Sequence, residues 1–338
     1  RFPHNANQGL KNHVAAGGLK KVLDAFPQRP PLATWTTNLR SLRSTCSSAI
    51  APAASKHSPS ARAITPGLYS PTRVRSKEVL AIYLFGLAQK RKSIREIYDY
   101  IADHFAEWFP DLPSYQSYNR RLNRMSAVFA PLTEAALSQI DCPEVQKEAV
   151  RIADSMPIML AKEKRSTQAK VAPQLASKGY CSSKGTFFYG VKLHAVVRRR
   201  PGTLPVPTRV GLTHVGLTPG SENDLVALRC VLPGIEGGQL YGDKAYCDGP
   251  MKERLPKEQN LKVRTPVKRK KGQKRLSAAS KLFSTAVSKV RQPIESLFNW
   301  INEKTGIQRA SKVRSYRGLL VHVFGRLAAA MLLLSFNS

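Results

Sequence analysis

Acidic residues are scarce in this chain. Its 338 residues include 22 Asp and Glu against 54 Lys and Arg, which leaves a formal net charge of +32 at pH 7. A charge so far from zero attracts polyanions and opposes compaction unless a partner neutralises it. Nucleic acid is the partner that this imbalance favours, because each phosphate contacted by Lys or Arg releases bound counterions. An anionic membrane surface or a ribosome-like assembly would satisfy the same charge, so composition alone leaves these open.

Paired cysteines and long apolar segments are lacking as well. The five cysteines include no C-x-x-C pair, so neither a disulfide framework nor a zinc site is indicated, and a reducing cytosol fits best. The late apolar run from Leu327 to Leu334 is too short to span a bilayer, and the first residues lack the apolar stretch of a signal peptide. We therefore predict a soluble protein in which the final apolar stripe is core. This stripe consists of Leu319, Leu320, Val323, Phe324 and Leu327.

The sequence divides into three segments. Residues 1–72 contain one acidic residue, Asp24, and are rich in Pro, Ser, Ala and Thr, so we predict a disordered basic extension that either adds DNA affinity or has no function. Residues 73–144 predict a small all-helical module, with a helix cap at Ser76, a capping box from Ser93 and a third helix from about Ser117. Residues 145–338 alternate strand and helix patterns, which favours an α/β fold with a mixed sheet and helices on its faces.

Within the third segment the patterns give approximate boundaries. The predicted strands are Ala149 to Leu160, Thr186 to Val197, Val206 to Leu217, Gln239 to Tyr246 and Leu261 to Val267. The predicted helices are Asp224 to Leu232, capped by Asn223 or Asp224, Pro250 to Gln259, and a set of final helices in which Pro293 occupies a first turn.

Three carboxylates stand out against this basic background. Asp154 lies inside an apolar strand pattern, where a carboxylate is costly unless it is paired or binds a metal. Asp243 ends a strand, a common position for ligand sites in open sheets, and Glu295 lies beside the apolar stripe of a late helix. A strand-end Asp alone is more often a cap or an ion-pair partner. Together, on strand, strand and helix, the three predict a site for two divalent ions that acts on phosphodiesters.

The segments around these carboxylates resemble the DDE transposases of bacterial insertion sequences, most closely insertion sequence family 982. The resemblance runs from about Arg73 to the C-terminus. Its most specific motifs are Ile152–Pro157 (IADSMP), Lys178–Cys181 (KGYC), Phe188–His194 (FYGVKLH), Gly242–Tyr246 (GDKAY) and Arg291–Glu295 (RQPIE).

The resemblance implies an RNase H-like catalytic domain over residues 145–338, with two Mg²⁺ or Mn²⁺ ions held by Asp154, Asp243 and Glu295. It implies cleavage of transposon ends and joining of the freed 3′-hydroxyl to target DNA. The implied partners are terminal inverted repeats, target DNA and further copies of the chain, in the bacterial cytoplasm at the nucleoid. Some relatives carry Tyr-x-x-Arg before the glutamate and Lys seven residues after it. Here those positions hold Ser288, Arg291 and Asn302, so only the arginine is kept.

Basic residues outside the carboxylate motifs are expected on the DNA backbone, with solvated basic surface as the alternative. A third helix of the module carries three arginines, and a lysine-rich stretch precedes the final helices. Lys192 and His194 share one face of a strand, where hydrogen bonding within the sheet is the favoured alternative to DNA contact. The residues assigned to DNA are Arg120, Arg121, Arg124, Lys192, Lys268, Arg269, Lys270, Lys271, Lys274, Arg275, Arg291 and Lys312.

Two other functions stay open from the sequence. One is an RNase H-like nuclease that cleaves without joining, since the same carboxylates serve both reactions. The other is a non-catalytic DNA-binding protein derived from a transposase. The three carboxylates disfavour the second alternative, whereas the unusual residues 1–72 leave it open.

Overall fold

The computed structural model describes residues 76–140, 150–199, 202, 204–207, 215–269 and 271–336. The extension predicted over residues 1–72 and the assignment of Lys270 to DNA lie outside the described residues.

The first described segment is helical, as predicted. It contains α1 (Ser76–Ala88), α2 (Ile94–His104), α3 (Tyr115–Arg124) and α4 (Phe129–Ile140). The Ser93 hydroxyl accepts a hydrogen bond of 3.2 Å from the Glu96 amide, which confirms the predicted cap of α2. Helix α1 is buried from Val79 to Leu87 because it is apolar on every face. A Cβ at Gly86 would lie 2.5 Å from Ile97, so the close approach of α1 and α2 requires glycine there.

A mixed seven-stranded sheet follows, which confirms the predicted fold class. Its strands are β1 (Val150–Lys162), β2 (Ser177–Cys181), β3 (Thr186–Arg198), β4 (Val206–Pro207), β5 (Val215–Pro219), β6 (Gln239–Tyr241) and β7 (Lys262–Arg264). The main order is β2-β3-β1-β6-β7, and β4 and β5 also pair with β3. Strand β3 is antiparallel to β1, whereas β6 is parallel to both β1 and β7.

Helices cover both faces of this sheet. Among them, α5 (Asp224–Val231), α6 (Gly249–Glu258) and α7 (Ala278–Thr305) contact its strands. Helices α8 (Tyr316–Leu320) and α9 (Arg326–Phe336) follow in the chain and contact other helices. Alternate residues of β1 point to opposite faces. Ile152 packs in a large core cluster with Ile294 of α7, whereas Ala153 packs in a second cluster with Leu228 of α5 and Leu255 of α6. This helix-flanked mixed sheet is compatible with an RNase H-like fold.

The C-terminal helices pack back onto the first helical segment. Helix α9 contacts α1 and α4, and the large core cluster includes Ile97, Ile152 and Leu327 together. Buried Arg326 donates hydrogen bonds to the carbonyl oxygens of Thr305 and Lys92. One hydrophobic core therefore joins residues from both sides of the predicted boundary at residues 144 and 145, and the domain limits stay predictions.

One helical run, Tyr316–Ser335, is long and apolar enough to cross a membrane by length and composition alone. However, 67% of its most apolar window is buried inside the structure. Leu319, Val323 and Leu327 are buried, which confirms that these positions of the stripe are core, whereas Leu320 and Phe324 are half-buried. Burial of this kind is typical of a core helix.

Several predicted boundaries were wrong. Strand β6 ends at Tyr241 instead of Tyr246, because the Asp243 side chain caps a short 3₁₀ turn over Lys244–Tyr246. Pro293 lies well inside the 28-residue α7 instead of in a first turn. A proline inside a helix costs about 3 kcal/mol, and burial of Ile294 and Leu297 on the same helix offsets that cost.

Other elements differ in extent. Helix α3 starts at Tyr115, ahead of the predicted Ser117, and β7 covers only Lys262–Arg264. The strand predicted from Val206 to Leu217 corresponds to β4 and β5, with residues 208–214 outside the described part of the chain. Strand β2 was not predicted, since its short sequence SKGYC shows no clear alternation.

Candidate active site

Strands β1 and β6 bring Asp154 and Asp243 to adjacent positions. The parallel register pairs Ile152 with Tyr241. Asp154 lies two residues after Ile152, and Asp243 lies two residues after Tyr241. Strand β6 ends at Tyr241, so its pairing with β1 stops before Asp154, while β3 still pairs with β1 on the other side. The Asp154 Oδ1 accepts a bond of 2.8 Å from the Ser155 amide, and the Asp243 Oδ1 accepts one of 2.7 Å from the Ala245 amide. Both carboxylates are therefore held at the point where the sheet opens.

Helix α7 contributes two further charged side chains. Its buried stripe of Ile294, Leu297 and Ile301 packs towards the sheet. Glu295 lies next to this stripe with a side chain that is 54% exposed, and Arg291 lies one turn earlier. Because residues four apart share a helix face, the two side chains meet.

Arg291 joins this helix to the sheet. Its Nη1 lies 2.6 Å from the Asp154 Oδ2, and its Nη2 lies 2.8 Å from the Glu295 Oε1. The side chains of Arg291 and Asp154 are only 20% and 17% exposed, so this ion pair is largely shielded from water. One guanidinium thus bridges two of the three predicted metal ligands.

The surroundings of Asp154 shift the pKa of its carboxyl group. Burial raises this pKa most and Arg291 and the Ser155 amide lower it; with smaller upward contributions from the charges of Asp243 and Glu295, the pKa is about 6. The electrostatic influence of Asp243 and Glu295 on Asp154 places the three carboxylates in one neighbourhood. Arg291 therefore offsets only part of the cost of burying negative charge there.

Tyr246 is a neighbour of this group that the sequence did not single out. Burial raises the pKa of its hydroxyl well above the usual value, and Asp154, Asp224 and Asp243 raise it further. A Cβ at Gly242 would lie 2.8 Å from the Tyr246 ring, so this glycine lets the ring close the turn after β6. The signal in the sequence was the shared motif Gly242–Tyr246, in which only Asp243 was assigned a role.

The donor set suits a hard divalent cation in its chemistry, since carboxylate oxygens are what Mg²⁺ prefers. Among the residues that the structure describes, no group of three or more His, Cys, Asp or Glu is close enough to hold a metal ion. Instead, the Arg291 guanidinium supplies positive charge between Asp154 and Glu295. A metal ion at these carboxylates would compete with Arg291 for Asp154 and Glu295.

Both Lys192 and His194 make hydrogen bonds, but only that of His194 lies within the sheet, the alternative that the sequence favoured for both. The Lys192 Nζ donates to the Glu222 carbonyl oxygen at 2.8 Å and to the Asp224 Oδ1 at 3.0 Å. The His194 Nε2 lies 2.7 Å from the Thr218 hydroxyl, and burial lowers the pKa of His194 to about 4. The neutral imidazole is therefore the form present at pH 7.

Asn223 caps α5, as predicted. Its Oδ1 accepts a hydrogen bond of 2.8 Å from the Leu225 amide. Asp224, which begins the helix, instead pairs with Lys192.

The other basic residues assigned to DNA lie at or near the surface. Arg120 and Arg124 of α3 are exposed and Arg121 is half-buried. The loop between β7 and α7 is exposed at each described basic position, and Lys312 is exposed between α7 and α8. The described basic positions of the loop are Lys268, Arg269, Lys271, Lys274 and Arg275. Their contact with DNA stays a prediction.

Comparison with known proteins gives one family. A model described as "Transposase DDE domain" matches residues 144–315, just over half of the chain. The matched range begins just before β1 and ends after α7, so it contains Asp154, Asp243, Arg291 and Glu295. No curated protein matches the chain at a significant level.

Proposed function

Since the chain belongs to the transposases with a DDE domain, we propose that it cleaves DNA at the ends of an insertion sequence and joins the freed 3′-hydroxyl to target DNA. The observation that carries this proposal is the meeting of Asp154 and Glu295 on one guanidinium, with Asp243 two residues after the neighbouring strand. The motif resemblance supports insertion sequence family 982 as the more specific assignment.

In this proposal Asp154, Asp243 and Glu295 hold two Mg²⁺ or Mn²⁺ ions. Such ions, when bound, activate the attacking oxygen and stabilise the departing one in phosphodiester chemistry. The chain would contribute placement, because Asp154 lies on β1, Asp243 lies in the turn directly after the adjacent β6, and Glu295 lies on a helix packed against β1. Deprotonation of Asp154 is required for ligation, and its pKa of about 6 makes that form available at neutral pH.

Arg291 has two roles in this proposal. Its guanidinium pairs with Asp154 and Glu295 and offsets part of their negative charge. With metal ions on these carboxylates, the guanidinium would be free to bind a DNA phosphate through two parallel hydrogen bonds. The exposed basic loop between β7 and α7 and the arginines of α3 would hold further backbone phosphates of the element end and the target. A second copy of the chain would hold the other end.

The test is a cleavage and joining assay with labelled terminal-repeat DNA and a plasmid target. We expect Asp243→Asn to lower Mg²⁺- or Mn²⁺-dependent cleavage by at least about 100-fold, while binding to end DNA persists. The matched control is Asp99→Asn, which alters an exposed carboxylate paired with Arg95 on the helical module and should leave cleavage unchanged. Cleavage by Asp243→Asn at the wild-type rate would show that the site is wrong.

The same assay separates the remaining alternatives. Cleaved ends without joined product would identify a nuclease of RNase H-like fold, because joining needs the 3′-hydroxyl to attack a second DNA. Binding without any cleavage in either metal would identify a DNA-binding protein that has lost the reaction.

A further inference from the structure

Two large aromatic side chains are exposed on the β2–β3 hairpin, eight residues along β3 from the position that pairs with Asp154. Tyr180 is 52% exposed and Phe187 is 53% exposed. They are paired across the antiparallel register of β2 and β3. Their ring centroids lie 5.0 Å apart with an interplanar angle of 55°. Together they form a continuous aromatic surface that packing inside the protein does not explain.

The hairpin beneath these rings is firmly held. Its opposite face buries Cys181 and Phe188 in a small cluster with Met159 of β1. A Cβ at Gly179 would lie 2.2 Å from the Gly220 carbonyl oxygen, so β2 packs tightly against the turn after β5. The exposed rings therefore sit on a rigid support, and a ligand that contacts them does not have to order a mobile loop.

The charge around the rings is positive. The Lys178 Nζ lies 5.1 Å from the centroid of the Phe187 ring, and Lys184 is exposed at the turn of the hairpin. Residues 177–189 include these two lysines and no acidic residue. In the short helix Glu163–Ser166, which contacts β3, one glutamate is accompanied by Lys164 and Arg165. Rings and cations side by side fit a ligand that carries both flat faces and negative charge.

We propose that Lys178, Tyr180 and Phe187 form a second nucleic-acid contact, which stacks an unpaired base of a DNA strand and binds the adjacent phosphate. Base stacking on aromatic side chains tolerates any sequence, because every base has a π face. Asp154 pairs with Ala195, eight residues from Phe187 along β3. The contact therefore lies about 25 Å from the carboxylates. Its ligand is unpaired DNA, either a frayed end or a displaced strand.

The test is a binding titration of the full chain in EDTA, so that it does not depend on the proposed chemistry. The probe is a fluorescent single strand of thymidines with one central 2-aminopurine, compared with a blunt duplex. We expect the double variant Tyr180→Ala, Phe187→Ala to lose about 10-fold or more in affinity for the single strand. It should also lose the quenching of 2-aminopurine, while affinity for the duplex changes less than about 2-fold.

Matched variants separate stacking from folding. Exchanging the two residues (Tyr180→Phe, Phe187→Tyr) keeps both rings and should keep affinity and quenching. Trp108→Ala removes an aromatic side chain that is 53% exposed on the helical module, and it should change nothing. Lys178→Gln should reduce the slope of log affinity against log salt by about 0.7.

Unchanged single-strand affinity in the double variant, or an equal loss on the duplex, would overturn the proposal. So would loss of self-association in place of DNA binding, measured by sedimentation, because the rings would then contact a second copy. If the double variant melts early, the Lys178→Gln slope and the exchange variant decide the outcome.

Discussion

Replacing Arg291 with alanine tests the central electrostatic feature of the site. In the absence of divalent ions, we expect the variant to be less stable than the wild type at pH 7.5, because Asp154 is left buried beside two other carboxylates. Two opposite charges about 4 Å apart attract by about 4 kcal/mol at an effective dielectric constant of 20. Since both side chains keep about a fifth of their exposure and Asp154 can take up a proton, we expect a loss of about 2–3 kcal/mol. The exposed contact to Glu295 adds about 0.5 kcal/mol at most.

The loss caused by Arg291→Ala should depend on pH in a defined direction. Asp154 has a folded-state pKa of about 6, above its usual 3.8, so its contribution to stability is full below pH 3.8 and is lost as the pH rises through about 6. Without the guanidinium this pKa rises further, which enlarges the loss above pH 6. Urea unfolding of both proteins at pH 5 and pH 7.5 should therefore give a small difference at pH 5 and a large one at pH 7.5.

Metal binding supplies the second readout for Arg291→Ala. Because no guanidinium has to be displaced from Asp154, we expect Mn²⁺ to raise the melting temperature of the variant more than that of the wild type. The matched control is Arg229→Ala, which breaks a pair with Asp248 at 2.7 Å in which the arginine is 56% exposed. That control should cost less than about 1 kcal/mol and leave the Mn²⁺ response unchanged. Equal stability of Arg291→Ala and wild type at pH 7.5, or an equal Mn²⁺ response, would refute the reasoning.

Two further predictions concern the fold. Neutral His322 accepts from the Arg326 Nε at 3.1 Å and donates to the Ile307 carbonyl oxygen at 2.9 Å, and burial lowers its pKa to about 3 from 6.5. As the pH falls below 6.5, the unfolded chain therefore takes up a proton that the folded chain does not, and the free energy of unfolding falls. Between pH 7 and pH 5 this effect lowers the free energy of unfolding by about 2 kcal/mol. We expect His322→Gln to remove that decrease, as measured by urea unfolding. An unchanged pH dependence would argue against a neutral buried imidazole. Ser93→Ala removes the cap of α2 and should lower stability by about 1 kcal/mol. Ser93→Asp should keep most of the stability, because aspartate also caps helices. Equal melting temperatures for all three proteins would contradict the capping role.

The sequence predicted the elements that carry the carboxylates because each has a strong local signal. The apolar pattern around Asp154 gave β1, and the stripe with Ile294 gave a helix beside Glu295. The short extent of β6 was not predicted because the Asp243 side chain competes with the strand for backbone hydrogen bonds. The spacing of apolar residues does not reveal such a side-chain hydrogen bond. The helical position of Pro293 was missed for a related reason, since packing of the whole of α7 overrides one unfavourable residue.

Contacts between segments that are distant along the chain could not be predicted from the sequence. The pair Arg291–Glu295 has helical spacing, but the bond from Arg291 to Asp154 joins residues 137 apart and depends on how α7 lies on β1. The apolar stripe from Leu319 to Leu327 predicted burial but not the partners, which for α9 include α1 and α4. The cross-strand contact of Tyr180 and Phe187 likewise depends on the register of β2, a strand that the pattern did not reveal.

The charge composition and the site are connected by one physical requirement. A chain with 54 basic and 22 acidic residues can bind DNA strongly, yet acidic side chains at its active site repel the same phosphates. Pairing Asp154 and Glu295 with Arg291 removes part of that repulsion while the protein is without metal. Bound metal ions would then neutralise the carboxylates in place of Arg291. The positive charge of Arg291 would become available to the DNA. We infer that metal binding and DNA binding strengthen each other at this site, with Arg291 as the group that changes partner.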